Sequence, residues 1–158
     1  MRFYLKYIEP NRPLIEKGAF RFSSIEQLPG LSAFLGLQFE SLVNANLSPL
    51  MDEFGLGRTL LVSAAPYSQR KTQRIRGCQI DLLIQTDAAI HVVEVKRRER
   101  IDEDVIDEVK EKIRRLKVRR GVSMFPELVY AGNASKRIEA VGYFRRIISA
   151  EDLLGIPR

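Results

Sequence analysis

Cysteine and histidine are almost missing from this sequence: Cys78 and His91 are the only ones among 158 residues. A lone thiol closes no internal disulfide, and the two residues together fall short of the four ligands of a structural zinc site, so disulfide scaffolds and zinc modules are excluded. Long apolar runs are missing too. The longest uncharged stretches, such as 27–39, are shorter than the roughly 18 apolar residues a bilayer span needs, and they hold Gly and Pro. No membrane span is therefore expected. Arg2, Lys6 and Glu9 are interspersed among the first apolar residues, which is not the layout of a secretory signal, and a cytoplasmic location is expected by default. No internal repeat or low-complexity segment occurs, nor does any G-x-x-x-x-G-K-[ST] loop, so ATP phosphates cannot be cradled by that route.

What is present fits one soluble globular unit with a real core. Hydrophobic residues make up 45% and charged residues 29%, and Lys and Arg exceed Asp and Glu by 26 to 20, a net charge of +6. That excess suits a polyanionic partner without requiring one. Residues 1–57 are cut by Pro and Gly into short pieces that read as helices. Within them Leu31, Phe34, Leu35, Phe39, Leu42 and Val43 recur at three- and four-residue intervals, predicting a helix over 31–46. Residues 1–30 are read as a helical segment packed on a core domain of 31–158. Three runs of strand length follow at 59–64, 78–85 and 90–97, the last two joined by a four-residue connection suited to an antiparallel hairpin. Val105, Ile106, Val109, Ile113 and Leu116 then mark one helical face, with Asp102 as the expected N-cap and Gly121 as the expected stop. Strands at 128–131 and 143–148 and short helices near 136–140 and 151–154 complete an α/β order.

Within the run 90–97, Glu94 and Lys96 are charges among Val92, Val93 and Val95. Alternation across a strand puts both side chains on one side, about 7 Å apart along it. Asp81 lies between Ile80 and Leu82 in the preceding strand, where an unpaired carboxylate costs several kcal/mol, so it needs a cation. If the hairpin register sets Asp81 beside Glu94, the two carboxylates favour a hard divalent ion, Mg²⁺ or Mn²⁺, that polarises a phosphodiester and activates water. Lys96 would then position or deprotonate that water, or stabilise charge on the phosphate. The plainer alternative is a structural ion pair. Glu108-Val109-Lys110 repeats the tripeptide, but in the predicted helix residues two apart diverge, so it reads as a solvated helix face.

Asp81, twelve residues, then Glu94-Val95-Lys96 at the end of a hairpin resembles the PD-(D/E)XK nuclease superfamily. That resemblance implies a restriction-endonuclease-like core: a mixed central sheet flanked by helices. It also implies a further acidic residue from the helix before the sheet, matched by Glu40, whose plainer reading is a solvated or ion-paired carboxylate. The proline that names the motif is replaced by Ile80. A closer resemblance joins residues 2–8 with Pro10-Asn11, Phe39-Glu40, Gln79-Ile80-Asp81-Leu82-Leu83-Ile84 and Glu94-Val95-Lys96. These are similar to the C-terminal nuclease-like domain of archaeal-type P-loop ATPases. It implies that the chain is the terminal piece of a larger ATPase, or a stand-alone relative, with an attached or separate ATPase domain as partner.

Two basic runs flank the expected site. Arg70, Lys71, Arg74 and Arg76 precede the Asp81 strand, and Arg97 and Arg98 follow Lys96. They would make salt-sensitive phosphate contacts, or else form a solubilising surface. His91 falls on the opposite strand face from Glu94 and is expected to be packed. Tyr4, Tyr7, Phe20 and Phe22 are expected in a core, and Gln79, two residues before Asp81, is either a candidate for the site face or a polar residue entering the strand. The sequence thus leads to a Mg²⁺- or Mn²⁺-dependent nuclease acting on nucleic acid, DNA favoured, with Asp81 and Glu94 on the metal and Lys96 and Glu40 assisting. The alternative is a catalytically silent module of the same fold that binds nucleic acid or docks a partner for an ATPase.

Overall fold

The structure, a computed structural model, describes residues 2–22, 24–73, 76–118 and 121–156. The chain divides into two compact units, Met1–Leu35 and Gly36–Arg158. In the first, short helical turns (Tyr4–Ile8, Glu9–Asn11 and Ile25–Gln27) accompany helix α1, Arg12–Glu16. Pro at the start of α1 suits a position whose N–H has no intrahelical partner. Buried Tyr7, Leu28 and Leu31 form this unit's core, while Tyr4 and Phe22 are exposed, contrary to the expectation that they are core.

The boundary falls within helix α2, Leu31–Ala45, and α3, Leu47–Glu53, follows. Then come β1 (Leu61–Gln69), β2 (Cys78–Thr86), β3 (Ala89–Ile101), α4 (Asp104–Arg115), β4 (Ser123–Ala134), α5 (Lys136–Val141), β5 (Arg146–Ser149) and α6 (Ala150–Leu153). The sheet runs in order β1-β2-β3-β4-β5. Its first two pairings are antiparallel and its last two parallel. This is the mixed-sheet α/β architecture with preceding helices expected of a restriction-endonuclease-like core.

Leu82, Ile84, Val93, Val95, Val129 and Ile148 cover one sheet face and pack on Phe39, Val43, Leu50 and Met51 from α2 and α3 and Leu153 from α6. Ile90, Val92 and Leu128 cover the other and pack on Val105, Ile106 and Val109 of α4 and Ile138 of α5. With helices on both faces, the central strand β3 is buried at every residue from Ala89 to Val95, as expected where neither face meets water. Past Arg97 it carries one residue more than β4 opposite. Gly132 lies across from this bulge with φ +121°, and a β-carbon there would come within 1.8 Å of the Arg98 carbonyl oxygen, so only glycine lets the two strands close.

Several boundaries differ from expectation. Strand β1 begins later and runs on through Pro66 to Gln69, which an edge strand permits because one side of its backbone has no partner. Asp102 does not cap α4: Arg100 donates to it at 2.9 Å, and Glu103 stands at the N-cap. The helix stops at Arg115 because Leu116 turns extended and packs, with Val118, against the α4-side core. Gly121, expected as its stop, instead takes φ +85° in the turn before β4.

Candidate metal-binding site at the open end of the hairpin

Backbone pairing of β2 with β3 ends at Leu82 opposite Val93. One step further in the same register stand Asp81 and Glu94, where the strands part. The Val95 N–H is bonded to the Asp81 carboxylate at 2.9 Å. Asn44 of α2 donates to the Asp81 carbonyl at 3.4 Å and to the Glu40 carbonyl at 2.8 Å, tying the helix to this point.

The site fills from the α4 side. Glu94 is wholly buried. Its Oε2 accepts from Lys112 Nζ at 2.5 Å, and the same ammonium lies 3.9 Å from Asp81 Oδ1. Lys96 shares Glu94's strand face, with Nζ 2.9 Å from Oε1, so each oxygen of this buried carboxylate has an ammonium beside it. The Lys96 ammonium also donates to Glu108 Oε2 at 2.6 Å. Arg98 joins Asp104 at 2.7 Å and Glu108 at 3.1 Å.

These placements shift ionisation. Burial, then the charge of Glu94, pushes the Asp81 carboxyl up to about 6, against the pull of Lys112 and the Val95 N–H; Glu40 adds to the upward push. Glu40 thus lies within electrostatic reach of Asp81. Burial opposes the charge on Lys96, yet the hydrogen bonds and charges of Glu108 and Glu94 outweigh it and raise its pKa above the ordinary lysine value. Glu108 is held below the ordinary carboxylate value, since Lys96 and Arg98 together overcome its burial.

Asp81, Glu94 and Lys96 are therefore brought together, with Glu40 at the margin. The reading of Glu108 as a solvated helix face is corrected: it is half-buried and binds Lys96, because α4 lies on the face to which Lys96 points. The sequence read alone does not assign Lys112 to the site. The signal was there, since Asp104, Glu108 and Lys112 each stand one residue before the apolar Val105, Val109 and Ile113, forming a polar row beside the buried stripe.

The basic residues divide. Arg70, Lys71 and Arg97 are exposed and carry no ion pair among the described residues, whereas Arg98 is held by α4. Arg76 lies 3.7 Å from Glu111, and Arg74 falls outside the described residues. Gln79 is exposed. His91 is buried on the opposite face as expected, with Nδ1 2.8 Å from the buried Glu127.

No family model matches the sequence, and no curated protein is significantly similar to it. Two solved structures are similar in shape. Protein VC1899 from Vibrio cholerae matches with a TM-score of 0.54 at 16% identity, over 99% of this chain and 43% of that one. It shares the fold. A repair endonuclease from Pyrococcus abyssi matches at 22% identity with a TM-score of 0.38, over 66% of this chain and 46% of that one. The chain spans less than half the length of either. No helix among the described residues is long and apolar enough to cross a membrane.

Among the described residues no three carboxylate, imidazole or thiol side chains gather as a ready cage for a metal. The pair Asp81 and Glu94 nevertheless fits a hard divalent ion. Both carboxylates face one cation position, at which the Lys112 ammonium now stands 2.5 Å from Glu94 Oε2 and 3.9 Å from Asp81 Oδ1. Oxygen donors of this kind suit Mg²⁺ or Mn²⁺, which complete their shells with water or phosphate oxygens.

Proposed function

We propose that this chain is a Mg²⁺- or Mn²⁺-dependent nuclease domain that hydrolyses phosphodiesters of nucleic acid, DNA favoured. The observation that carries the reading is the convergence of Asp81 and Glu94 on one cation position where the hairpin opens. A bound divalent ion would supply Lewis acidity to the phosphodiester and the attacking water. Asp81 and Glu94 would hold it, and Glu40 would orient a water in its shell. Lys96, kept charged by Glu94 and Glu108, acts as an electrostatic group beside the phosphate, because an ammonium with a raised pKa is a poor base at neutral pH. The exposed Arg70, Lys71 and Arg97 would meet the phosphate backbone outside the site.

A second reading follows from the closed network itself. With Lys112 and Lys96 both on Glu94, the carboxylates are neutralised without metal, as in a silent module that binds nucleic acid or docks a partner for an ATPase. Incubating wild type and Glu94→Gln with Mn²⁺ and a panel of DNA and RNA substrates separates the two. Cleavage by wild type that Glu94→Gln abolishes supports the nuclease, whereas binding without cleavage supports the module.

A further inference from the structure

Building on the assignment of Asp81 and Glu94 as metal ligands, we propose that Lys112 occupies the ion's position in the free protein and that loading a divalent ion expels it. A single ammonium, 2.5 Å from Glu94 Oε2 and 3.9 Å from Asp81 Oδ1, bridges the two carboxylates that a metal would share. Two buried or nearly buried carboxylates need counter-charge, and Lys96, shared between Glu94 and Glu108, does not supply it to Asp81, whereas Lys112 reaches both.

The two lysines of the site differ in what a metal would leave them. Lys96 also holds Glu108 and keeps that partner when Glu94 is taken by an ion. Lys112 Nζ has no carboxylate partner besides Glu94 and Asp81 among the described residues. An incoming ion therefore removes both of its partners at once and repels it. Departure is open to it: the side chain is 24% exposed, and an ammonium on a flexible four-carbon stem is readily hydrated. Metal binding and lysine release are then one exchange. The free protein binds metal more weakly than its carboxylate pair alone would, which keeps the buried carboxylates neutralised until the ion arrives.

Manganese titration calorimetry on the full chain tests this with wild type, Lys112→Met and Asp81→Asn, each checked for folding. The exchange predicts that Lys112→Met binds Mn²⁺ about tenfold more tightly or better than wild type. A second measurement needs no variant. Acetic anhydride should acylate Lys112 of wild type several-fold faster at saturating Mn²⁺, with exposed Lys71 as the reference amine, read by peptide mass mapping. Equal or weaker Mn²⁺ binding by a folded Lys112→Met, or Lys112 acylation unaltered by bound Mn²⁺, overturns the exchange while leaving the metal site standing. Absence of Mn²⁺ binding in wild type, or binding unaffected by Asp81→Asn, overturns the metal-site reading and the exchange with it.

Discussion

The backbone N–H of Val95 is bonded to the side chain of Asp81, 2.9 Å away. The carboxylate is held where the β2–β3 ladder gives out, so its position is set by a strand's backbone and its orientation by one directed bond. Its other oxygen remains available to a cation. Burial and the neighbouring Glu94 make that carboxylate hard to ionise, which is a cost to stability that a purely structural residue would not be expected to carry.

That cost has a sign that can be measured. In metal-free buffer the Asp81 carboxyl titrates near 6 in the folded protein against an ordinary 3.8. Between these values the folded state holds more protons than the unfolded one, so stability falls as pH rises through the window, and the penalty is fully present above about pH 6. Asp81→Asn removes the charge. Urea unfolding with EDTA should find the variant more stable than wild type by on the order of 2 kcal/mol at pH 8, and little different at pH 4. A gap independent of pH would contradict this.

Glu108 is expected to control the ionisation of Lys96. In Glu108→Ala the burial of Lys96 remains while one of its two carboxylate partners is lost, so its pKa should fall relative to wild type. NMR titration of the Lys96 ammonium would read the change. A pKa that stays put would mean that Glu94 alone sustains the charge.

Gly132→Ala should damage the fold near the site without touching its chemistry. The added methyl would meet the Arg98 carbonyl at a backbone angle that favours glycine. A loss of about 2–3 kcal/mol is expected from thermal or denaturant unfolding, because two strands and the bulge between them have to shift. Wild-type stability would show that the bulge gives way freely.

The basic residues should sort by their present partners. If Arg70, Lys71 and Arg97 meet phosphates, each change to Ala should lower the slope of log affinity against log salt by about 0.9 on duplex DNA. Arg98→Ala should alter the slope little, since Arg98 is already paired with Asp104 and Glu108. Fluorescence anisotropy over a salt series distinguishes them, and equal slopes for all four changes would refute the division.

The elements carrying the site were legible because their periodicities are strong: the alternation that puts Glu94 and Lys96 on one face, and the stripe of Val105, Val109 and Ile113. Asp81 beside Glu94 was legible only as a condition on register, which a short connection between two strands constrains without fixing. What escaped was the partnership across layers. Nothing local to Glu108 or Lys112 says which strand α4 will cover, and Glu108-Val109-Lys110 looked solvated because its polar residues border a buried stripe. The true end of α4 was equally hidden, since Leu116 leaves the helix to complete a core assembled from distant residues.

The central claim is that Asp81 and Glu94 together form a divalent-ion site, and Mn²⁺ titration calorimetry on folded wild type, Asp81→Asn and Glu94→Gln tests it most directly. The site described here predicts saturable binding by wild type and its loss in both variants. Binding that survives in either variant, or none in wild type, would contradict it.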